Sequence, residues 1–509
     1  MPPEESGYNA AVDLLERNLE RDNGTRTAYI DKHGRCSYAE LELGARHAGA
    51  VLTQLGVQRE QRVLLCMHDS RYLPMCFLGA IRAGIIPILA NTLLTEADYE
   101  YMLQDSRASV VIVSAPLAPM FESLAARMPG LNHVIVEGAA GDSLESMMKT
   151  AVPDWQAAAT SADEACFWLY SSGSTGRPKG TVHVHSSMIK TAELYAEPVL
   201  GIKAEDVVFS AAKIFFAYGL GNALSFPLSV GATTVLVPER PTPELVFQTL
   251  REHKVTIFYG VPTLYAALLA HAEMPAVDDL CLRRCTSAGE ALPADIGSRW
   301  QAHFDLPILD GIGSTEMLHI FLTNQEHAHR PGTTGRPLDG YELKITDDDG
   351  APVGDGEMGE LQVRGPTTAS MYWNQRRKSQ TTFVGEWTRT GDKYTIDDDG
   401  YYVYCGRSDD MLKVGGIYVS PTEVESALIS HPAVLEAAVV GQVDEHGLTK
   451  PKAFVTLQSG HDNDNDMTRT LQEFVKSSLA PYKYPRWIEF VDELPKTATG
   501  KIQRFKLRQ

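Results

Sequence analysis

The segment from residue 170 to residue 180 constrains the fold more than any other part of the chain. It reads Tyr-Ser-Ser-Gly-Ser-Thr-Gly-Arg-Pro-Lys-Gly, so hydroxyls, glycines and two cations alternate in one turn-rich stretch. Glycines let backbone N–H groups close around an anion, and hydroxyls and cations add donors and charge. The apolar run before it, residues 165–169, is typical of a buried strand. Because α/β sheets bind ligands at strand ends, we predict an anion site there rather than a flexible surface loop.

The spacing of this loop excludes the two commonest phosphate motifs. A Walker A loop would need glycine at Pro178 and a hydroxyl residue at Gly180, and the dinucleotide fingerprint is also absent. The loop resembles the phosphate-binding signature of the adenylate-forming superfamily, which includes acyl-CoA synthetases, peptide-synthetase adenylation domains and luciferases. The resemblance implies that ATP phosphates are bound by Ser171, Ser172, Gly173, Ser174, Thr175, Gly176 and Lys179.

Size and charge limit the possible partners. A chain of 509 residues is too long for one core, which indicates two or more domains. A net charge of -19 disfavours nucleic acid and anionic membrane surfaces, so anionic substrates need local positive sites. The apolar runs are too short to span a bilayer, and the acidic N-terminus is not that of a targeting peptide. We therefore expect a cytoplasmic protein without nucleic-acid or membrane partners.

Cysteines and an acidic run were the other candidates for metal sites. Seven sparse cysteines are typical of reduced thiols, and we expect Cys281 and Cys285 to be core or helix-face thiols. Residues 462–466, Asp-Asn-Asp-Asn-Asp, begin like a calcium loop, but Met467 stands where the tight turn requires glycine. An acidic loop that caps the following helix is the better interpretation.

Hydrophobic periodicity predicts an α/β fold. Up to about residue 330, short apolar strands alternate with helical segments, which indicates parallel-rich sheets with flanking helices. From about 330 to 408, short strands and turn signals indicate a β-rich subdomain. The last hundred or so residues alternate helix and strand again, enough for a small α+β domain. We predict a large N-terminal domain, 1–408, and a small mobile C-terminal domain, 409–509.

A second glycine loop carries an acidic residue. Residues 311–316, Gly-Ile-Gly-Ser-Thr-Glu, follow an apolar run, and alone they would suggest a capped helix start. A carboxylate near a triphosphate is what Mg²⁺ requires. Together with the first loop, the superfamily resemblance implies that Glu316 binds magnesium, that Thr315 contacts phosphate, and that Asp310 and Gly311 belong to the nucleotide site.

Further segments extend the resemblance along the chain in the superfamily's order. Residues 287–293 resemble the segment that packs against adenine, which implies contacts from Gly289, Glu290 and Ala291. Residues 387–392 resemble the ribose segment, and residues 406–410 resemble the hinge between domains. The resemblance thus implies ribose binding by Asp392, a nucleotide contact by Arg407, a hinge at Asp409 and a coenzyme A tunnel at Gly415 and Gly416.

The last signature is Pro-Lys-Thr-Ala-Thr-Gly-Lys, residues 495–501. A lysine near the C-terminus of an acidic protein is usually a solvated side chain. The resemblance implies instead that Lys501 enters the active site and contacts the attacking carboxylate and the α-phosphate. We expect the C-terminal domain to turn about Asp409 between the two half-reactions, since Lys501 would otherwise occupy the path of the thiol.

The acid that is activated is indicated by residues 211–222, which are both aromatic and small. This stretch resembles the acyl pocket of benzoate–CoA ligases, as do residues 258–263 and 313–321. The resemblance implies a substrate pocket formed by Ala217, Tyr218, Gly219, Gly313 and His319. Amino-acid adenylation domains have an aspartate where Ala217 stands, so an amino acid is disfavoured. Tyr218 and His319 are either ligands for a ring substituent or plain wall residues.

The resemblance implies an AMP-forming acid–thiol ligase. Benzoate, ATP, Mg²⁺ and coenzyme A are the expected substrates and cofactors, and a free thiol acceptor fits because no carrier domain follows Gln509. A hydroxybenzoate or aminobenzoate ligase is the alternative, and a medium-chain acyl-CoA synthetase, a luciferase-like oxygenase or a non-catalytic relative is less favoured. A homodimer is possible. We expect His183 and His185 to belong to a strand with alternating faces rather than to a metal site.

Overall fold

The computed structural model describes residues 7–153, 156–171, 177–347, 349–354, 356–408, 410–414, 417–445, 448–496 and 502–508. The first part of the chain, up to residue 184, forms six helices and eight strands. The helices are α1 (Ala10–Glu20), α2 (Tyr38–Gln54), α3 (Tyr72–Arg82), α4 (Glu96–Ser106), α5 (Ala118–Arg127) and α6 (Leu144–Thr150). The strands are β1 (Thr27–Asp31), β2 (Gly34–Ser37), β3 (Arg62–Cys66), β4 (Ile86–Leu89), β5 (Val110–Ser114), β6 (His133–Glu137), β7 (Ala165–Ser171) and β8 (Lys179–Val184).

The second part also alternates strand and helix. Its strands are β9 (Val207–Ser210), β10 (Thr233–Val235), β11 (Ile257–Gly260), β12 (Arg284–Ser287), β13 (Ile308–Gly313) and β14 (Ile320–Thr323). Its helices are α7 (Ser186–Thr191), α8 (Ala217–Leu220), α9 (Phe226–Val230), α10 (Pro243–Glu252), α11 (Pro262–Leu269) and α12 (Ala294–Phe304). Two π-helical segments, Ala192–Leu200 and Gly221–Ser225, flank the stretch that contains α8.

Short strands dominate the third part. They are β15 (Arg336–Pro337), β16 (Glu342–Thr346), β17 (Gly359–Arg364), β18 (Met371–Tyr372), β19 (Phe383–Val384), β20 (Trp387–Ile396) and β21 (Tyr402–Arg407), with helix α13 (Arg376–Thr382) between β18 and β19. The final part contains β22 (Leu412–Val414), β23 (Ile417–Val419), α14 (Pro421–Ile429), β24 (Val434–Val443), β25 (Thr449–Leu457), α15 (Asn465–Ser478) and β26 (Trp487–Phe490).

Two large, mostly parallel sheets form the body of the molecule. The seven-stranded sheet has the order β18-β8-β7-β4-β3-β5-β6, and the nine-stranded sheet has the order β15-β14-β13-β12-β11-β9-β10-β1-β2. Each contains a parallel core: β3 to β7 in the first and β9 to β13 in the second. The prediction of parallel-rich sheets with flanking helices is confirmed.

Both glycine loops lie where a parallel sheet changes to antiparallel pairing. β8 returns antiparallel to β7, and the first glycine loop stands between the two strands in the sequence. β14 likewise returns antiparallel to β13, and the loop from Ser314 to His319 joins them. The helix start considered for Thr315 and Glu316 is therefore wrong, because the chain turns back into a strand.

Three smaller sheets complete the fold. Strands β16, β17, β19, β20 and β21 form an antiparallel sheet, which agrees with the β-rich character predicted for this region. The C-terminal part has a three-stranded sheet, β24-β25-β26, and a hairpin, β22-β23. Its helices α14 and α15 enclose a core of its own, which includes Val424, Leu428, Val439, Val455 and Leu471.

Helices α2 and α3 pack unusually closely beneath the first sheet. A Cβ atom on Gly79 would lie 2.3 Å from the carbonyl oxygen of Ala45, and one on Gly49 would lie 2.7 Å from that of Gly79. No side chain fits between these backbones, so glycine is required at both positions. Helix α2 begins with a capping box in which Ser37 and Glu40 each accept the other's backbone N–H.

Three local predictions can be compared with the structure. Asp464 caps α15 by accepting the backbone N–H of Met467, so the acidic run does cap a helix. Cys285 is buried in β12, but Cys281 is exposed in the loop before it, so a core or helix-face position for Cys281 is wrong. Among the described residues, every helix is too short or too polar for a bilayer crossing.

Candidate active site

A cleft of about 1040 Å³ brings the predicted nucleotide segments together. Its walls come from the ends of β7, β8, β12 and β13, from the antiparallel sheet of β17 and β20, and from the C-terminal part. The predicted residues that line it are Ser171, Lys179, Gly289, Glu290, Ala291, Asp310, Gly311, Gly313, Thr315, Glu316, Asp392 and Arg407. Segments far apart in sequence thus face one space.

Several predicted residues lie outside the described residues. They include most of the first glycine loop, the expected hinge, both glycines of the expected coenzyme A tunnel and the expected catalytic lysine: Ser172, Gly173, Ser174, Thr175, Gly176, Asp409, Gly415, Gly416 and Lys501. Among the described residues that flank them, Ser171, Asp410 and Ile502 line the cleft.

Glu316 and Lys179 form a buried ion pair in the cleft. The Nζ atom of Lys179 lies 3.5 Å from Oε1 of Glu316, and the hydroxyl of Tyr372 donates to the same oxygen at 2.7 Å. Burial opposes ionisation of Glu316, but Lys179 and Tyr372 outweigh it and lower the pKa of the carboxyl. Burial lowers the pKa of Lys179, although Glu316 partly offsets this. Glu316 is therefore a carboxylate at neutral pH.

A buried histidine supports the loop that carries Glu316. His183, on β8, lies with Nε2 2.8 Å from the carbonyl oxygen of Thr315. Burial lowers the pKa of His183 to about 4, so the ring is neutral and Nε2 donates to that carbonyl. His185 accepts the backbone N–H of Ala10 through Nδ1, so the two histidines serve different surroundings. The sequence offered no sign that His183 supports the second glycine loop.

Asp392 and Arg407 face each other across β20 and β21. Nη1 of Arg407 lies 3.2 Å from Oδ1 of Asp392 and donates to the carbonyl oxygen of Thr390 at 3.0 Å. The backbone N–H of Asp392 donates to Oγ1 of Thr390, and a Cβ on Gly391 would lie 2.8 Å from the Arg407 guanidinium. The strands thus hold a mostly buried carboxylate and a half-exposed guanidinium at one end of the cleft.

Most of the predicted acyl-pocket residues do not line this cleft. Only Gly313 does. Ala217, Tyr218, Gly219 and His319 instead belong to a packed layer, rich in aromatic side chains, behind the cleft. Tyr218 and Thr286 share a hydrogen bond of 2.6 Å between their hydroxyls. A Cβ on Gly219 would lie 2.0 Å from the Lys213 carbonyl oxygen, which requires glycine there.

His319 is the centre of that aromatic layer. Its ring lies 4.5 Å from Phe226, 5.4 Å from Tyr195 and 5.4 Å from Tyr218, measured between centroids. Nε2 lies 3.2 Å from the Tyr218 carbonyl and 3.2 Å from Oδ1 of Asn222, and burial lowers the pKa of the ring to about 3. His319 is therefore a neutral side chain at physiological pH.

Residues 502–508 join the cleft to the C-terminal sheet. The guanidinium of Arg504 donates two hydrogen bonds to Glu425, at 3.0 and 2.6 Å, and Glu425 also accepts the backbone N–H of Val439. The backbone N–H of Ile502 donates to Oε1 of Glu290 at 2.9 Å. These contacts were not predicted, because nothing in the local sequence pairs residues so far apart.

This arrangement defines a class of protein. Two glycine loops at strand ends, a carboxylate beside a lysine, and an aspartate at the far end of the same cleft are suited to a nucleoside triphosphate. The chain belongs to the AMP-binding enzyme family: residues 15–373 match the model of the AMP-binding enzyme, and residues 423–501 match that of its C-terminal domain. It is an adenylate-forming enzyme of the acyl-CoA synthetase type, a group that uses ATP and coenzyme A.

Individual relatives are similar over nearly the whole chain. A benzoate–CoA ligase of Thauera aromatica is 60% identical over 504 residues, covering 98% of this chain and 96% of the relative. A 4-hydroxybenzoate–CoA/benzoate–CoA ligase of Rhodopseudomonas palustris is 51% identical, covering 99% and 94%. The crystal structure of a benzoate CoA ligase from Burkholderia xenovorans LB400 has a TM-score of 0.94 at 54% identity, covering 99% of this chain and all of that one.

Proposed function

We propose that the protein converts benzoate, ATP and coenzyme A into benzoyl-CoA, AMP and pyrophosphate. The observation that carries this proposal is the 60% identity to a benzoate–CoA ligase across 98% of the chain. The cleft supports it, since it joins the phosphate, adenine and ribose segments in one space. Benzoate first attacks the α-phosphorus to give benzoyl-AMP and pyrophosphate. The thiol of coenzyme A then attacks the acyl carbon and expels AMP.

The first half-reaction requires that two anions meet. A carboxylate must approach a phosphorus surrounded by anionic oxygens, so cations and N–H donors must neutralise both reactants and the developing charge. Lys179 is held in the cleft against Glu316 and Tyr372, and we assign Lys501 to the contact with the attacking carboxylate and α-phosphate. Residues 171–176 and Thr315 are assigned to the phosphates. Asp392 is assigned to the ribose hydroxyls, and Gly289 to Ala291 are assigned to adenine.

Glu316 fits a magnesium ion that is held mainly by phosphate oxygens. Among the described residues, no three histidine, cysteine, aspartate or glutamate side chains cluster together. These residues therefore do not form a metal site made only of protein ligands. Mg²⁺ is commonly held by one or two carboxylates plus phosphates, which a single ionised Glu316 satisfies. When bound there, the ion would neutralise phosphate charge, and Tyr372 keeps the carboxylate oriented toward the cleft.

The second half-reaction requires the lysine to leave the path of the thiol. We infer that residues 409–509 turn as a unit about Asp409 relative to residues 1–408, with Gly415 and Gly416 beside the incoming pantetheine. A separate core in the C-terminal part supports its movement as one body. The hydrogen bond from the Ile502 N–H to Glu290 is one contact with the cleft that this movement would exchange.

A hydroxybenzoate or aminobenzoate ligase is the second candidate. The relative from Rhodopseudomonas palustris bears both the 4-hydroxybenzoate and the benzoate name, at 51% identity. The hydroxyls of Tyr218 and Thr286 form a polar pair in the aromatic layer, to which a ring substituent could bond. Because the two hydroxyls are already hydrogen-bonded to one another, an unsubstituted ring is favoured.

The test is a substrate panel with analysis of products. Benzoate, 2-, 3- and 4-hydroxybenzoate, 2-aminobenzoate and octanoate are each supplied with ATP, Mg²⁺ and coenzyme A, and thioester, AMP and pyrophosphate are quantified. Benzoate is expected to have the highest kcat/KM, with one AMP and one pyrophosphate per thioester. Equal turnover of octanoate would refute an aromatic pocket, and a strong preference for a hydroxybenzoate would select the second candidate.

Compartment and assembly are also proposals. We propose a cytoplasmic enzyme, because all seven cysteines are free thiols and six of them are at least partly buried. A homodimer is also proposed and is tested by light scattering coupled to size exclusion.

A further inference from the structure

Helix α13 presents one face to the active-site cleft. Lys378, Thr381 and Thr382 line the cleft, and their spacing of three and four residues places them on the same side of the helix. Arg376, Arg377 and Lys378 are all exposed, but neither arginine lines the cleft. The helix therefore directs one particular ammonium group into the cleft.

Helix α13 is hydrogen-bonded to Tyr372, whose hydroxyl donates to Glu316. Tyr372 donates its backbone N–H to Oγ of Ser379 at 3.0 Å, and Ser379 donates to the carbonyl oxygen of Gln375 at 3.1 Å. The hydroxyl of the same Tyr372 donates to Glu316, and Nζ of Lys179 lies 4.3 Å from the centre of its ring. A chain of direct contacts thus runs from α13 to the phosphate end of the cleft.

Lys378 is available for an anionic ligand. Within the described part of the chain it forms no ion pair, whereas Lys179 is paired with Glu316. Burial is the main cause of the lowered pKa of Lys179, and the positive charge of Lys378 lowers that pKa further. The two ammonium groups are therefore close enough to repel each other. In a chain with a net charge of -19, an ammonium group with no ion pair among the described residues gives an anionic ligand a local positive contact.

We propose that Lys378 binds the β- and γ-phosphates of ATP and the pyrophosphate that leaves. This inference rests on the proposed function, and it adds a phosphate-binding residue beyond the two glycine loops. As the carboxylate oxygen bonds to the α-phosphorus, the bond from that phosphorus to the bridging oxygen breaks. Its electron pair stays on pyrophosphate. The ammonium of Lys378 stabilises this negative charge, and no proton has to be transferred.

The experiment compares Lys378→Gln with the wild type in both half-reactions. In the reverse direction, benzoyl-AMP and pyrophosphate form ATP, and the KM of pyrophosphate is expected to rise about tenfold in the variant, since a hydrogen bond to a charged group is lost. Formation of benzoyl-CoA from benzoyl-AMP and coenzyme A involves no pyrophosphate and is expected to stay within twofold of the wild type. Lys378→Arg restores the charge and should recover most of the pyrophosphate affinity.

Arg376→Gln is the matched control, because it removes a cation from the same helix outside the cleft. It is expected to leave the KM of pyrophosphate unchanged. Raising the salt concentration should weaken pyrophosphate binding more in the wild type than in Lys378→Gln. The proposal is overturned if Lys378→Gln keeps the wild-type KM, if thioester formation falls equally, or if Arg376→Gln has the same effect. A wild type inactive with benzoate would instead refute the proposed function.

Discussion

The backbone N–H of Ile502 donates a hydrogen bond of 2.9 Å to Oε1 of Glu290, which lies 212 residues earlier in the chain. Glu290 belongs to the predicted adenine segment, and Ile502 directly follows the predicted catalytic lysine. The bond therefore ties the lysine-bearing segment to the wall of the cleft. Arg504, two residues further on, is fixed to the C-terminal sheet through Glu425.

Glu290→Ala is expected to slow formation of benzoyl-AMP about tenfold. The variant lacks the carboxylate that accepts the Ile502 N–H and so holds the segment with Lys501 in the cleft. Thioester formation from benzoyl-AMP should change little, since the C-terminal part is then expected to have turned away. Single-turnover measurements of each half-reaction test this.

Glu290→Gln keeps a carbonyl oxygen for the Ile502 N–H and should recover part of the loss. Affinity for AMP separates this role from an adenine contact: a loss of AMP affinity equal to the loss in rate would contradict the tie to Ile502. Glu360→Ala, which removes another carboxylate that lines the cleft, is the control.

Tyr372→Phe is expected to raise the KM of magnesium–ATP about tenfold. The variant keeps the ring beside Lys179 but removes the hydroxyl that donates to Glu316, so the carboxylate is less well oriented and its pKa is less strongly lowered. Steady-state kinetics with varied ATP and Mg²⁺ measure the effect. Tyr482→Phe, on the C-terminal part and outside the cleft, serves as the control, and an equal KM in both variants would argue against the Tyr372 contact.

His319→Ala is expected to shift substrate preference from benzoate toward larger substituted benzoates. His319 fills the space between Tyr218, Tyr195 and Phe226, so its loss leaves a gap behind the proposed pocket. The ratio of kcat/KM for benzoate over 2-aminobenzoate should fall by on the order of tenfold. His431→Ala, on the C-terminal part, is the control. An unchanged kcat/KM ratio in His319→Ala would contradict a role for His319 in shaping the substrate pocket.

Asp69 gives a pH dependence of stability with a definite sign. Burial raises the pKa of Asp69 to about 6, although Lys213 and the Ile214 N–H oppose this. The folded state therefore binds this proton more tightly than the unfolded state, so the contribution of Asp69 to stability is greatest at low pH and is lost as the pH rises through about 6. Asp69→Asn should stabilise the protein at pH ~8 by up to about 3 kcal/mol and have little effect at pH ~4.

The contribution of Asp206 to stability depends on pH in the opposite direction. Burial opposes its ionisation, but Arg283, Thr256 and the Lys203 N–H lower its pKa, so its contribution is present at neutral pH and is lost in acid. Asp206→Asn should therefore lower the thermal midpoint at pH ~8. Calorimetric scans of both variants at several pH values test the pair. A change in stability that is the same at all pH values for Asp69→Asn would contradict the raised pKa of Asp69.

The sequence was sufficient for the parallel cores, whereas most of the first glycine loop lies outside the described residues. Strands such as Val110–Ser114 consist of apolar residues up to the final serine, so local pattern carries the prediction. The hairpin returns of β8 and β14 were missed, because residue pairing across a sheet depends on tertiary packing.

The supporting residues were missed for a related reason. His183 and Lys378 resemble ordinary strand and helix residues, and only the folded chain places them beside Thr315 and in the cleft. The bond from the hydroxyl of Tyr372 to Glu316 was not predicted either. Contacts that join distant segments leave no periodic signal in the sequence.

Exchange of labelled pyrophosphate into ATP tests the central claim most directly. With benzoate, ATP and Mg²⁺ but no coenzyme A, the wild type is expected to incorporate label into ATP, since formation of benzoyl-AMP is reversible. Lys501→Ala should abolish this exchange and still form thioester from benzoyl-AMP. Absence of benzoate-dependent exchange in the wild type, or release of inorganic phosphate in place of pyrophosphate, would contradict adenylation as the function of this cleft.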